Sequence, residues 1–207
     1  MTDKKGNSNL LKKSWNFLWH DESLAGWVVS LVVIFLFIKF IFFPGLSLLL
    51  GTKLPLVVVE SSSMSHNAFI FGEFDGWWLK NHAWYESKNI TRSEARKWVL
   101  KSGFEKGDII LLIGDETPKA GDIIVFEAGQ RHPIIHRIVE INNARGESSE
   151  SGENRENTLI TYTTKGDGNP DHISLDYNIK DEQVIGRAVL KIPKLGWVKL
   201  LFSGIFD

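Results

Sequence analysis

Residues 24–43 read LAGWVVSLVVIFLFIKFIFF, a run of 20 residues in which Lys39 is the one charge. A bilayer core about 30 Å thick is crossed by roughly 20 apolar residues in an α-helix, so the run predicts a single membrane span. Pro44-Gly45 punctuates its expected end. Lys39 falls near the far boundary, where its stem can carry the ammonium back to water. Trp15, Trp19 and Trp27 suit an aromatic belt at the near boundary, which a buried core helix would not need. A cleaved signal peptide has an apolar region of about 7–15 residues followed by small residues. This run is longer and ends FFPG. Lys4, Lys5, Lys12 and Lys13 precede it, and beyond Lys39 the next basic residue is Lys53. The positive-inside rule therefore predicts a cytoplasmic N-terminus (1–23), a transmembrane helix (24–43) and an extracytoplasmic domain (54–207).

The rest of the composition narrows the chemistry. The 207 residues carry a formal net charge of −1, which gives no electrostatic reason to expect nucleic acid. The absence of Cys excludes disulfide scaffolds, thiolate metal sites and Cys nucleophiles. No H-E-x-x-H or comparable ligand cluster is present, so the sequence predicts neither metal nor cofactor.

Outward from the span, residues 54–59 (LPLVVV) read as a buried strand that runs straight into Glu60-Ser61-Ser62-Ser63-Met64-Ser65-His66. Residues 67–90 are aromatic-rich and irregular, with Trp77 and Trp78 placed either at the membrane interface or in the core. Thr91-x-x-Glu94 is a capping box expected to open a helix to about Lys101, before Gly103. Together these make a small helical insertion over about 67–105. Asn89-Ile90-Thr91 matches a glycosylation acceptor. Lys106-Gly107-Asp108-Ile109-Ile110 is echoed by Ala120-Gly121-Asp122-Ile123-Ile124, each Gly-Asp being a turn that feeds a strand. Further strands are expected at residues 134–141, 159–164 and 184–192, with residues 142–157 an exposed polar loop. The apolar tail, residues 195–206, is too short to span and suits a membrane surface. The fold class is mainly β behind an N-terminal membrane helix.

Three features carry possible chemistry, and each has an ordinary structural reading. Ser63 lies in a serine run that also suits a polar turn. His136 sits in an apolar strand, where a histidine commonly satisfies the core. Residues 165–171 (KGDGNPD) have the composition of a turn. Together they supply a nucleophile, a base with a pKa near working pH and a carboxylate to fix the base's tautomer.

Their contexts resemble those of type I signal peptidases. Val57-Val58-Val59-Glu60-Ser61-Ser62-Ser63-Met64 resembles the family's Ser-Gly-Ser-Met box. The segment Gly121 to Phe126, followed by Ile134-Ile135-His136-Arg137-Ile138-Val139, resembles the base-bearing region, with His136 where the bacterial branch has Lys. That histidine marks the archaeal and endoplasmic-reticulum branch. Lys165-Gly166-Asp167-Gly168-Asn169 resembles the Gly-Asp-Asn-Asn box, and Val184-Ile185-Gly186-Arg187-Ala188 with Pro193-Lys194-Leu195-Gly196 the closing strand. The resemblance implies a β-rich catalytic domain and a membrane-anchored serine endopeptidase that removes signal peptides from exported preproteins. It implies Ser63 as nucleophile, His136 as base and Ser61 as support for the oxyanion site. Asp171 is expected to orient His136 and Asp167 to bond its own turn, with Asp176 an alternative orienter. His66 is a rival base expected to point away from Ser63, and Ser62 departs from the family's Gly. Implied partners are preprotein signal peptides, the lipid bilayer and the secretion translocon, at the cell membrane. The alternative function is an inactive assembly or substrate-binding subunit.

Overall fold

Ser23 accepts the Gly26 backbone N–H at 3.0 Å and so starts helix α1 (Leu24–Phe37). A π-helical turn (Ile38–Phe42) joins it to α2 (Phe43–Leu50), and the computed structural model describes residues 23–67, 74–114, 117–145, 158–197 and 201. Leu24–Leu50 forms one helix of 27 residues, long and apolar enough to cross a membrane. The expected stop at Pro44-Gly45 is thus corrected. Proline is tolerated in the first turn of a helix, where its missing N–H has no intrahelical acceptor to satisfy. The π turn, closed by the Phe43 N–H on the Ile38 carbonyl, places Pro44 there, at the start of α2.

Residues 50–207 form a second unit. Its seven-stranded antiparallel sheet runs β1 (Leu56–Val58), β2 (Ile109–Ile113), β7 (Val184–Ile192), β3 (Ile123–Phe126), β4 (Ile134–Arg145), β5 (Thr158–Lys165) and β6 (Ile179–Lys180) in spatial order. The two Gly-Asp echoes make the same turn. Gly107 and Gly121 have φ of 87° and 93°, and Asp108 and Asp122 each accept, at 2.9 Å, the backbone N–H three residues earlier. Each turn starts a strand, β2 and β3, with the residues that the echo predicts. All four residues of β3 are buried because each face packs into a core cluster, Ile123 and Val125 in one and Ile124 and Phe126 in the other. β4 and β5 form the expected hairpin, with Arg137 opposite Lys165, and extend further toward their loop than expected. Of the loop at 142–157, residues 146–157 lie outside the described residues, as do all but Leu195, Gly196, Trp197 and Leu201 of the tail.

The insertion differs from its expectation. Helix α3 (Phe74–Ser87) occupies the stretch read as irregular, and buries Phe74, Trp77, Trp78 and Tyr85. Trp77 and Trp78 are 4% and 5% exposed, so their place is in the core rather than at an interface. The capping box forms, with Thr91 N–H donating to Glu94 Oε2 at 2.7 Å, yet its helix α4 (Arg92–Ala95) has four residues. Beyond Ala95 the chain tightens, with the Lys97 and Trp98 N–H groups on the Glu94 and Ala95 carbonyls three residues earlier, and Leu100 is left-handed at φ 52°.

Candidate active site

β1 delivers the serine run. Past it, Val59 is still held to the 107–108 turn, its N–H on the Asp108 carbonyl and its own carbonyl accepting from Gly107. A turn then closes with Ser65 N–H on the Ser62 carbonyl at 2.9 Å. Met64, fully buried, pins this turn into the core. Ser61 and Ser62 are exposed and Ser63 is half-buried. The hydroxyls of Ser61 and Ser63 lie 3.2 Å apart, within hydrogen-bond distance.

β4 delivers His136, opposite Ile124 of β3 and 2% exposed. Its Nδ1 lies 2.6 Å from Asp176 Oδ1. Asp176, fully buried, stands in a 3-10 turn (Ser174–Asp176) and also accepts from Thr164 Oγ1 at 2.6 Å and the Ile173 N–H at 2.7 Å. Burial acts to raise this carboxyl, but the hydrogen bonds from His136, Thr164 and Ile173 and the His136 charge hold it below its ordinary value. An ionised carboxylate only accepts, so Nδ1 carries the proton toward Asp176, and in the neutral imidazole Nε2 is then the bare nitrogen.

That bare nitrogen faces the serine turn across Gly166. A Cβ at Gly166 would lie 2.8 Å from His136 Nε2 and 2.6 Å from the Ser63 carbonyl oxygen, so both residues crowd the same point. Gly168 closes the other side, its N–H donating to the Ser63 carbonyl at 2.8 Å. The Gly166-Asp167-Gly168 segment therefore docks Ser63 beside His136 because two of its residues lack side chains.

Both expected aspartate roles need correction. The exposed carboxylate of Asp171 accepts from Trp84 Nε1 at 2.9 Å and from the His172 N–H at 2.8 Å. Its position after Pro170 aims it at α3, while the chain continues through the 3-10 turn before a carboxylate meets His136. Asp167 does not bond its own turn. It is fully buried and takes Arg137 bidentately, Nε to Oδ1 at 2.9 Å and Nη2 to Oδ2 at 2.6 Å, with His66 Nε2 on Oδ2 at 3.1 Å. Burial pushes this carboxyl up, but the Arg137 charge and the bonds from His66 and Arg137 hold it far below the carboxylate range. Arg137 satisfies its remaining donors on the Val99, Leu100 and Gly121 carbonyls, so all five N–H groups are used. The His66 ring stacks on Trp77 with centroids 4.4 Å apart, and among the described residues the ring's one hydrogen bond goes to Asp167. Arg137, Thr164, Trp77 and Trp84 were missed as supporting residues. A charged Arg137 inside an apolar strand was the available signal.

No family model matches the chain. It is similar to the signal peptidase complex catalytic subunits SEC11 of Komagataella phaffii and Eremothecium gossypii, each 28% identical over 172 residues, which is 79% of this chain and 75% of theirs. The signal peptidase complex catalytic subunit SEC11C of Homo sapiens is 28% identical over 127 residues, 55% of this chain and 60% of that protein. These similarities bear out the resemblance to type I signal peptidases of the endoplasmic-reticulum branch that the sequence boxes carry.

Proposed function

We propose that Ser63, His136 and Asp176 are the nucleophile, base and orienting acid of this chain, a membrane-anchored serine endopeptidase that removes signal peptides from preproteins. The observation that carries the assignment is the 2.6 Å contact between His136 Nδ1 and Asp176, which leaves Nε2 toward the Ser63 turn. Nε2 takes the Ser63 hydroxyl proton as Oγ attacks the carbonyl carbon of the signal peptide's last residue. The tetrahedral oxyanion is met by the Ser63 backbone N–H, with the Ser61 hydroxyl beside it. Such a donor is worth about 2.7–4 kcal/mol of barrier stabilisation. Imidazolium Nε2 then protonates the leaving amine, the peptide bond breaks and the acyl group stays on Oγ. Water, deprotonated by Nε2, releases the signal peptide and frees Ser63.

β1 is an edge strand of the sheet, so a signal peptide can add to it as an extended strand, with small residues first and third before the cut. We assign residues 1–23 to the cytoplasm, the catalytic domain to the outer side of the cell membrane, and the bilayer and secretion translocon as the setting in which substrate arrives. The test incubates detergent-solubilised protein with a preprotein and sequences the new N-terminus. Cleavage after the signal peptide that disappears in Ser63→Ala supports the reading. An inert wild type beside an active partner subunit would favour the assembly role instead.

A further inference from the structure

Helix α3 donates three side-chain hydrogen bonds to the loop that ends in Asp176, one from Tyr85 Oη to Asp167 Oδ1 at 3.4 Å and two from indole N–H groups. Trp77 Nε1 donates to the Asp167 carbonyl at 2.7 Å, and Trp84 Nε1 donates to Asp171 Oδ1 at 2.9 Å. Residues seven apart on a helix return to the same face after two turns, so one face of α3 carries both donors. Lys165 Nζ bonds the Gly166 and Asn169 carbonyls at 3.1 and 2.8 Å and stands 4.8 Å from the Trp84 ring centroid and 5.1 Å from that of Tyr85. Trp84 also meets the His172 ring edge-on at 5.0 Å, and His172 Nδ1 is 2.6 Å from the Thr164 carbonyl. The Thr164 hydroxyl in turn holds Asp176. His172 further touches Tyr177, the residue after Asp176, at 4.9 Å.

Resting on the triad reading above, we propose that α3 is the positioning element of the acid loop and that Trp84 is a positioning residue, acting through Asp171 and His172 to set Asp176 on His136. Trp84 touches no reacting atom in this scheme. Asp171 serves as the acceptor that ties the loop to α3, and any side-chain oxygen at its position can do that. The 3-10 turn is three residues long and cannot hold its own orientation, so its direction comes from the two indoles and the residues they contact.

The test compares Trp84→Phe, Asp171→Ala and Asp171→Asn in the full chain, with Trp78→Phe as a control from the same aromatic core. Among the described residues the acid loop takes no hydrogen bond from Trp78. Two readouts are taken, steady-state preprotein cleavage and the downfield imidazole N–H proton resonance of His136 bonded to Asp176. Trp84→Phe and Asp171→Ala are expected to lower kcat tenfold or more at unchanged KM and to broaden or shift the resonance. Asp171→Asn keeps an oxygen for the indole and should retain kcat within about threefold of wild type, as should Trp78→Phe. Wild-type kcat and an unmoved resonance in Trp84→Phe would overturn the positioning role while leaving the triad intact. If no variant, wild type included, cleaves preprotein, the function has failed and the resonance alone decides the positioning role.

Discussion

Replacing Asp176 with Asn changes one oxygen to an NH2 at the point where three donors converge. His136 Nδ1, Thr164 Oγ1 and the Ile173 N–H reach this carboxylate at 2.6, 2.6 and 2.7 Å, and the two oxygens satisfy them all. An amide has one accepting oxygen, so at least one donor meets an NH2 and loses its bond. A buried donor left unmatched costs about 1–3 kcal/mol, which sets the expected loss of stability at neutral pH. The larger effect is on chemistry. Without a carboxylate to claim the Nδ1 proton, imidazole shifts to the tautomer with Nε2 protonated and cannot accept from Ser63. Loss of the correct tautomer in a Ser-His-Asp triad lowers kcat roughly 10⁴-fold, or about 5.4 kcal/mol of barrier. The assay is a cleavage time course on a preprotein at saturating substrate, paired with urea unfolding. The stability difference has a definite pH sign. The folded-state pKa of Asp176 lies below its unfolded value, so its contribution is full above about pH 4 and fades as pH falls through the folded pKa. A kcat for Asp176→Asn within tenfold of wild type, beside a dead Asp171→Asn, would refute the assignment and restore Asp171 as orienter.

Gly166→Ala forces a methyl to within 3 Å of both His136 Nε2 and the Ser63 carbonyl, so cleavage should fall by orders of magnitude and stability by about 1–3 kcal/mol; full activity in that variant would show that the two residues do not crowd this point. Arg137→Met strands the Asp167 carboxylate in the core and should cost about 3–5 kcal/mol in urea unfolding at pH 7. Asp167 has a strongly lowered folded pKa, so the same penalty should shrink below about pH 4, where the unfolded chain binds the proton first. His136→Lys should be inactive, because Asp176 would hold an ammonium at that site charged; retained cleavage would point to a Ser–Lys mechanism. Ser61→Ala should keep the fold and lower kcat by up to about a hundredfold, read from the same time course.

The strands were legible where turn chemistry and apolar runs agreed, as at Gly107-Asp108 and Gly121-Asp122, each of which starts a strand where the sequence puts it. The β4–β5 pairing followed from the two apolar runs around a polar loop, and it brings the acid-bearing segment to His136 as the sequence suggested. Helix α3 was not legible, because FDGWWLKNHAWYES mixes aromatic and polar residues around the helix and includes Gly76. What holds it is tertiary: the packing of Trp77, Trp78 and Tyr85, and Asp75 between Arg92 and Arg96. Helix α4 was overextended because the capping box marks where a helix starts and not where it ends, and the chain past Ala95 tightens into three-residue turns. Asp176 rather than the expected Asp171 meets His136, because three aspartates follow β5 within a dozen residues and spacing alone does not say which way a Pro-containing loop turns. The 3-10 turn that aims Asp176, and the indole that draws Asp171 aside, both come from contacts made far along the chain.

The docking of Ser63 against the Gly166-Asp167-Gly168 segment has a consequence for the order of events during translation. Synthesis runs from the N-terminus, so the membrane helix and the serine turn leave the ribosome first. At that stage the turn lacks the Gly168 N–H, and neither His136 nor Asp176 yet exists. Pairing of β4 with β5, with Arg137 opposite Lys165, must come before either reaches Ser63. Such long-range pairing is slow compared with local helix formation. A newly made chain therefore spends an interval with its serine unactivated. Arrival of the last third of the polypeptide ends that interval, so the serine gains its partners only after β4 and β5 have paired.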